Sequence, residues 1–152
     1  MTEPHSIEEI LLFAMQKEEA SYCFYTDMAA SARDPQTAKL FNEIAQDEIR
    51  HRQQLLLELM KVGRVVDTTQ DWTERSAADY VVEGELPRDL TLPEALQLAQ
   101  SKEHASYRLY VDLIRLTKDQ QAMEVFMALA EEEIRHKLQF EAVYENYMRM
   151  NR

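Results

Sequence analysis

A short pattern, acid-Glu-Ile-Arg-His, occurs twice in this chain, as Asp47-Glu48-Ile49-Arg50-His51 and as Glu132-Glu133-Ile134-Arg135-His136. The copies stand 85 residues apart, and the same offset superposes much of the remaining sequence. Lys17-Glu18 falls on Lys102-Glu103, Ala20-Ser21-Tyr22 on Ala105-Ser106-Tyr107, Tyr25 on Tyr110, Asp34 on Asp119, Phe41 on Phe126 and Ala45 on Ala130. Chance matches of a frequent residue such as Glu would not bring Tyr, Phe, His and helix-capping positions with them. The chain therefore reads as a tandem duplication of one helical hairpin.

Composition agrees with helix throughout. Two glycines and four prolines among 152 residues leave few breaks, while Ala, Leu, Glu, Gln, Met and Arg abound. The length suits a single domain spanning 1–152. A net charge of −11 argues against a nucleic-acid or anionic-membrane surface. No apolar run approaches the roughly 18 residues of a membrane span, and Met1-Thr2-Glu3-Pro4-His5 lacks a signal peptide's basic and apolar regions, so a cytoplasmic protein is expected. Cys23 is the only cysteine, which excludes an intrachain disulfide and a Cys-x-x-Cys metal site. It reads as a small packing residue in a reducing compartment.

Four helices are expected, over 7–32, 36–62, 92–117 and 120–149. Ser6 with Glu9, and Thr91 with Glu94, form capping-box patterns. Asp34-Pro35 supplies a cap followed by proline at the first helical position, and Gly63 is a terminator for the second helix. Residues 63–90 form one long connection, with Asp79-Tyr80-Val81-Val82 expected to be briefly extended. The second helix should be about 40 Å long. A connection of this length can return along it, as a crossover between parallel helices requires. Hairpin, crossover, hairpin gives an all-α four-helix bundle with an internal pseudo-twofold axis.

Each helix carries an apolar stripe that breaks at its middle. The breaks are Glu18, Glu48 with His51, Glu103, and Glu133 with His136. Glu and His three residues apart share a helix face and can grip one ion. Glu18 to Glu48 spans the same number of residues as Glu103 to Glu133, so the four breaks fall at one level of the bundle. Four carboxylates buried together repel and take up protons. Two divalent cations would cancel that charge, and mixed carboxylate and imidazole donors without thiolate suit iron or manganese better than structural zinc. Tyr25 and Tyr110 lie two turns beyond Glu18 and Glu103 on the same face. Their hydroxyls need partners, and either a ligand carboxylate or an ordinary core acceptor would serve. Asp47 and Glu132 each precede a ligand glutamate and can orient the histidine of the opposite hairpin, although Glu132 reads as a solvated surface charge. His104 should face away from the site, and His5 should be unordered.

On Glu18 with Tyr25, Ala45-Gln46-Asp47-Glu48-Ile49-Arg50-His51, Glu103 with Tyr110, and Ala130-Glu131-Glu132-Glu133-Ile134-Arg135-His136, the sequence resembles the ferritin-like superfamily and, within it, the rubrerythrin di-iron domain. The resemblance covers both hairpins and implies a non-haem centre of two iron ions per chain, with manganese or zinc as substitutes, that reacts with hydrogen peroxide or dioxygen. Four departures qualify it. One cysteine cannot build the four-cysteine rubredoxin-like site of full-length rubrerythrins, so electrons would come from an external rubredoxin-like donor or reductase. The extra glutamate that rubrerythrins carry three residues after the third-helix ligand is here Ser106, leaving a symmetric set of four Glu and two His as in bacterioferritin. Bacterioferritin's haem-ligating methionine corresponds to Ile49, so no haem is expected. The short fifth helix of cage-forming ferritins is missing as well. The resemblance implies a homodimer, in which hairpins can exchange across the connection, and no cage. A peroxide- or dioxygen-reducing enzyme leads the readings. A ferroxidase or iron-handling protein and a bundle merely stabilised by metal are the alternatives.

Overall fold

The computed structural model describes residues 6–62 and 90–151. Four α-helices make up nearly all of this: α1 (Ile7–Ser31), α2 (Pro35–Lys61), α3 (Leu92–Leu116) and α4 (Gln120–Met150). The Gly63 terminator, the path of the 63–89 connection, the extended 79–82 stretch and His5 lie outside the described residues.

Side-chain caps define the helix starts. Ser6 Oγ accepts the Glu9 N–H at 3.2 Å, and Thr91 and Glu94 close a reciprocal capping box. Asp34 accepts from the N–H groups of Gln36 and Thr37, and Asp119 accepts from that of Ala122. Within each hairpin the connection is only three residues, 32–34 and 117–119, beginning with Ala32 or Thr117 in an extended conformation that ends the preceding helix. So short a turn leaves the two arms nowhere to go but antiparallel and side by side.

Long-range bonds give the relative directions of the hairpins. Tyr25 bonds Glu103 while Tyr110 bonds Glu18, so α1 and α3 run antiparallel. Asp47 meets His136 while Arg50 meets Glu132, so α2 and α4 also run antiparallel. The hairpins thus meet α1 on α3 and α2 on α4, and the pseudo-twofold axis crosses the bundle perpendicular to the helices.

Two apolar layers fill the core on either side of that axis. One gathers Leu11, Ala14, Leu55, Leu59, Leu109, Tyr110, Leu113 and Phe126. The other gathers Phe24, Tyr25, Phe41, Ile44, Leu96, Ala99 and Phe140. They exchange under the repeat, Phe41 for Phe126 and Ala99 for Ala14. Full burial of each Leu or Phe contributes about 1.5–3 kcal/mol, so the two layers supply the apolar burial on either side of a polar middle. Lys102 is buried with Nζ 5.0 Å from the centre of the Phe24 ring, its charge resting on the aromatic face. Cys23, expected to pack inside, is exposed instead. It stands two residues before the inward-facing Tyr25, which on a helix turns it to the outer side. No helix among the described residues is long and apolar enough to cross a membrane.

Candidate metal centre

Between the apolar layers the structure brings together Glu18, Glu48, His51, Glu103, Glu133 and His136, each no more than 3% exposed. Helical spacing puts them there: Glu48 and His51 replace the apolar residues that α2 shows at Ile44 and Leu55, and α4 repeats this with Glu133 and His136 between Leu129 and Phe140. Two groups of four form, Glu18–Glu48–His51–Glu133 and Glu48–Glu103–Glu133–His136, with one donor atom per residue and all donors within 4.8 Å of one another. Glu48 and Glu133 belong to both. His51 Nδ1 lies 2.8 Å from Glu133 Oε1 and 3.7 Å from Glu18 Oε2. His136 Nδ1 lies 3.2 Å from Glu48 Oε1 and 3.6 Å from Glu103 Oε2.

The outward-facing atoms of this set are already spoken for. The Tyr25 hydroxyl donates to Glu103 Oε1 at 2.7 Å, and the Tyr110 hydroxyl donates to Glu18 Oε1 at 2.5 Å. Each tyrosine thus holds the glutamate of the opposite hairpin, which decides between the two acceptors that the sequence left open. His51 Nε2 sits 3.1 Å from Glu132 Oε2, and His136 Nε2 sits 2.9 Å from Asp47 Oδ2. The reading of Glu132 as a solvated surface charge is therefore corrected. Its side chain is 17% exposed and bridges His51 and Arg50 across the seam between α2 and α4. The signal was present in the sequence, since Glu132 and Asp47 share one repeat position.

What remains is a set of atoms without partners. Among the described residues, nine buried side-chain polar atoms make no hydrogen bond, and eight of them belong to these six residues. They are one oxygen each of Glu18 and Glu103, both oxygens of Glu48 and Glu133, and Nδ1 of both histidines. A buried polar atom without a partner costs about 1–3 kcal/mol, so eight in one layer call for either a bound ion or protons shared between the close carboxylate and imidazole atoms. The donor set, carboxylate oxygen and imidazole nitrogen without sulfur, fits hard or borderline divalent ions such as iron and manganese.

Without an ion the layer holds protons instead. Burial, and then the neighbouring carboxylates, push the Glu48 and Glu133 carboxyls well above their ordinary range. Burial also pushes Glu18 up, but proximity to Glu48, His51 and the Tyr110 hydroxyl brings it below its usual value. Burial acts to lower His51, yet its contacts with Glu132 and Glu18 outweigh this and raise it to about 10. His136 is raised in the same way through Glu103 and Asp47. The His51 and Arg50 bonds hold Glu132 down to about 2. Burial and the surrounding negative charge keep both tyrosines protonated, as donors must be. His104 is exposed on the outer face, away from the layer.

A four-helix bundle of two antiparallel hairpins with this buried carboxylate and histidine layer defines the ferritin-like class of di-metal carboxylate proteins. The family model for rubrerythrin matches residues 9–144, and the chain belongs to the rubrerythrin family. Among solved structures, it is similar to a dodecameric thioferritin, a bacterioferritin-related protein from Bacteroides fragilis, at 21% identity and a TM-score of 0.80, covering 95% of this chain and 88% of that one. It is also similar to a protein from Thermotoga maritima described as ferritin-like and diiron-carboxylate, at 20% identity and a TM-score of 0.73, covering 95% of this chain and 98% of that one. A manganese catalase from Anabaena shares the fold at 13% identity and a TM-score of 0.72, covering 96% of this chain and 75% of that one. No curated protein sequence matches the chain.

Proposed function

We propose that the protein is a non-haem di-iron oxidoreductase that reduces hydrogen peroxide with electrons from an external donor. The eight partnerless buried atoms carry this reading, because they form two overlapping groups of four around a shared pair of glutamates. Glu18 and His51 would hold one ion, Glu103 and His136 the other, and Glu48 and Glu133 would serve both. An iron pair held there in its reduced state would supply the two electrons that, together with two protons, convert one hydrogen peroxide into two molecules of water.

The chain's own residues do the rest. Tyr25 and Tyr110 keep Glu103 and Glu18 aimed inward and stand within proton-transfer reach of the layer. With Nε2 of each histidine set against Glu132 or Asp47, an imidazole that gives up its other proton on metal binding would present the Nδ1 lone pair to the ion. Apolar layers above and below exclude bulk water from the reacting centre. In this reading a rubredoxin-like protein or a reductase delivers the electrons. Two copies of the chain form the working assembly in this reading. Light scattering tests it against a cage.

One observation favours a second reading, a ferroxidase that handles iron. Ser106 is buried at the position where rubrerythrins carry an extra glutamate, so the layer keeps a symmetric four-Glu, two-His set. Anaerobic ferrous loading followed by stopped-flow oxidation separates the two. Two irons per chain with faster oxidation by peroxide than by air-saturated buffer is the expected result. Faster oxidation by dioxygen, with iron accumulating beyond two per chain, installs the ferroxidase in its place. A redox-silent centre would leave only a structural role for the metal.

A further inference from the structure

The two halves of this layer are duplicated in sequence but unequal in their outer contacts. Arg50 lies across the seam between α2 and α4 and bonds both of the carboxylates that the histidines use. Its Nη1 and Nη2 both donate to Glu132, at 3.3 and 2.5 Å, whereas Nη2 alone donates to Asp47, at 3.2 Å. The two carboxylates also differ in which oxygen is shared. On Glu132, Arg50 Nη1 and His51 compete for one atom, Oε2. On Asp47, Arg50 takes Oδ1 and leaves Oδ2 to His136 alone. Glu132 is the less exposed of the pair, 17% against 37%, so its bond to Arg50 is less screened by solvent. Arg135, at the matching position of the second repeat, is exposed and bridges neither carboxylate.

An outer carboxylate makes a ligand imidazole a stronger donor by drawing on its distal N–H. A carboxylate whose charge is taken up by a guanidinium fork draws less. The guanidinium also lies closer to the carboxylate behind His51 than to the one behind His136, so its positive charge opposes an incoming cation more strongly at the first half-site. From these contacts we infer that Arg50 makes the half-sites unequal, weakening metal binding at Glu18–Glu48–His51–Glu133 relative to Glu48–Glu103–Glu133–His136, so that the second of these fills first. The inference rests on the reading of the six side chains as a two-metal site. Two neighbouring divalent ions repel one another in any such pair, so some gap between first and second affinities exists without Arg50. Its own contribution is the part of the gap that removing it abolishes.

Arg50 is 46% exposed, so its replacement leaves the core intact, and circular dichroism verifies that. The full chain, freed of metal, is titrated anaerobically with zinc against a competing chelator, and with cobalt for the d–d absorption of each bound ion. For Arg50→Met, the gap between the two steps should narrow by at least about tenfold, the lower end of the effect of altering a ligand's outer partner, through tightening of the second step. Arg135→Met should keep the parent's gap, and Arg50→Lys, a point charge without the fork, should fall between. In the parent protein the His136 ring resonances should shift with the first equivalent of zinc and those of His51 with the second. An unchanged gap in Arg50→Met overturns the inference. So does a weaker second step, which would make Arg50 a strut that holds Glu132 against His51. A parent protein that binds no zinc or cobalt would instead overturn the two-metal reading itself.

Discussion

On α2, Phe41 and Ile44 lead into Glu48 and His51, and Leu55 and Leu59 lead out again; a single helix passes from apolar to charged and back within a few turns. The repeats show how differently the two kinds of layer tolerate change. At matching positions the apolar layers have exchanged Leu55 for Phe140 and Phe24 for Leu109. As a result one end of the bundle is aromatic, with Tyr25, Phe41 and Phe140 in mutual contact at centroid distances of 5.3 to 6.1 Å, and the other is mostly aliphatic. In the middle, all six residues and both tyrosines are identical between the repeats. Dispersion asks only for filled volume, whereas a ligand set asks for particular atoms at particular distances. The apolar layers need no ligand to bury their side chains, whereas the polar atoms of the middle layer need an ion or shared protons to be satisfied.

The largest effect that would break this contrast concerns the shared glutamates. Glu48→Ala or Glu133→Ala should reduce bound metal from two ions per chain to one or none while helix content persists. Elemental analysis with circular dichroism reads both quantities, and helices lost along with the metal would mean that the middle layer carries the fold. Phe41→Ala and Phe126→Ala come next, each costing about 3–5 kcal/mol in denaturant unfolding of the metal-free chain. Metal stoichiometry should survive both changes. Tyr25→Phe and Tyr110→Phe should each cost about 1–3 kcal/mol, since each removes a donor to a buried carboxylate, and the two costs should match because the bonds are mates under the repeat. Unequal costs would show that the halves differ in their inner contacts as well.

The smallest effect is a slope with pH. Glu48, Glu133 and His51 bind protons more tightly in the folded metal-free chain than when unfolded. Their contribution is full below the unfolded values and is lost as pH rises through the folded ones. Glu18, lowered on folding, acts with the opposite sign, but its contribution changes only below its ordinary value of 4.5 and is already complete above it. The melting temperature of the metal-free chain should therefore fall between pH 5 and pH 9, while that of the loaded chain, whose ligands have already released these protons, should not. A metal-free chain whose melting temperature rises over that range contradicts the proton-holding picture.

The bundle and the meeting of six polar residues were legible because the repeat reports both at once. A matched pair of interrupted apolar stripes, with equal spacing in each hairpin, sets the level as well as the residues. Contacts between helices were less legible. Glu132 lies one position off the core stripe, and nothing local says that His51 and Arg50 of another helix wait there. The tyrosine hydroxyls had two kinds of acceptor open to them until the antiparallel packing of α1 on α3 brought the opposite glutamates within reach. Arg50 and Arg135 are indistinguishable in sequence, and only the seam geometry separates the bridging one from the exposed one. Cys23 shows the reverse failing, because a residue type that is usually buried outweighed a helical position that faces out.

The perpendicular pseudo-twofold axis has a consequence for how such a site is put together. Among the described residues, the bonds that cross the axis join one hairpin to the other: Tyr25 to Glu103, Tyr110 to Glu18, His51 and Arg50 to Glu132, and His136 to Asp47. None of them depends on the two hairpins sharing a chain. The covalent link acts as a source of effective concentration, keeping the second hairpin near the first at a level that free hairpins would reach only in concentrated solution. The metal layer is in this sense a meeting place of two equivalent half-molecules, and the peptide that joins them governs how often they meet.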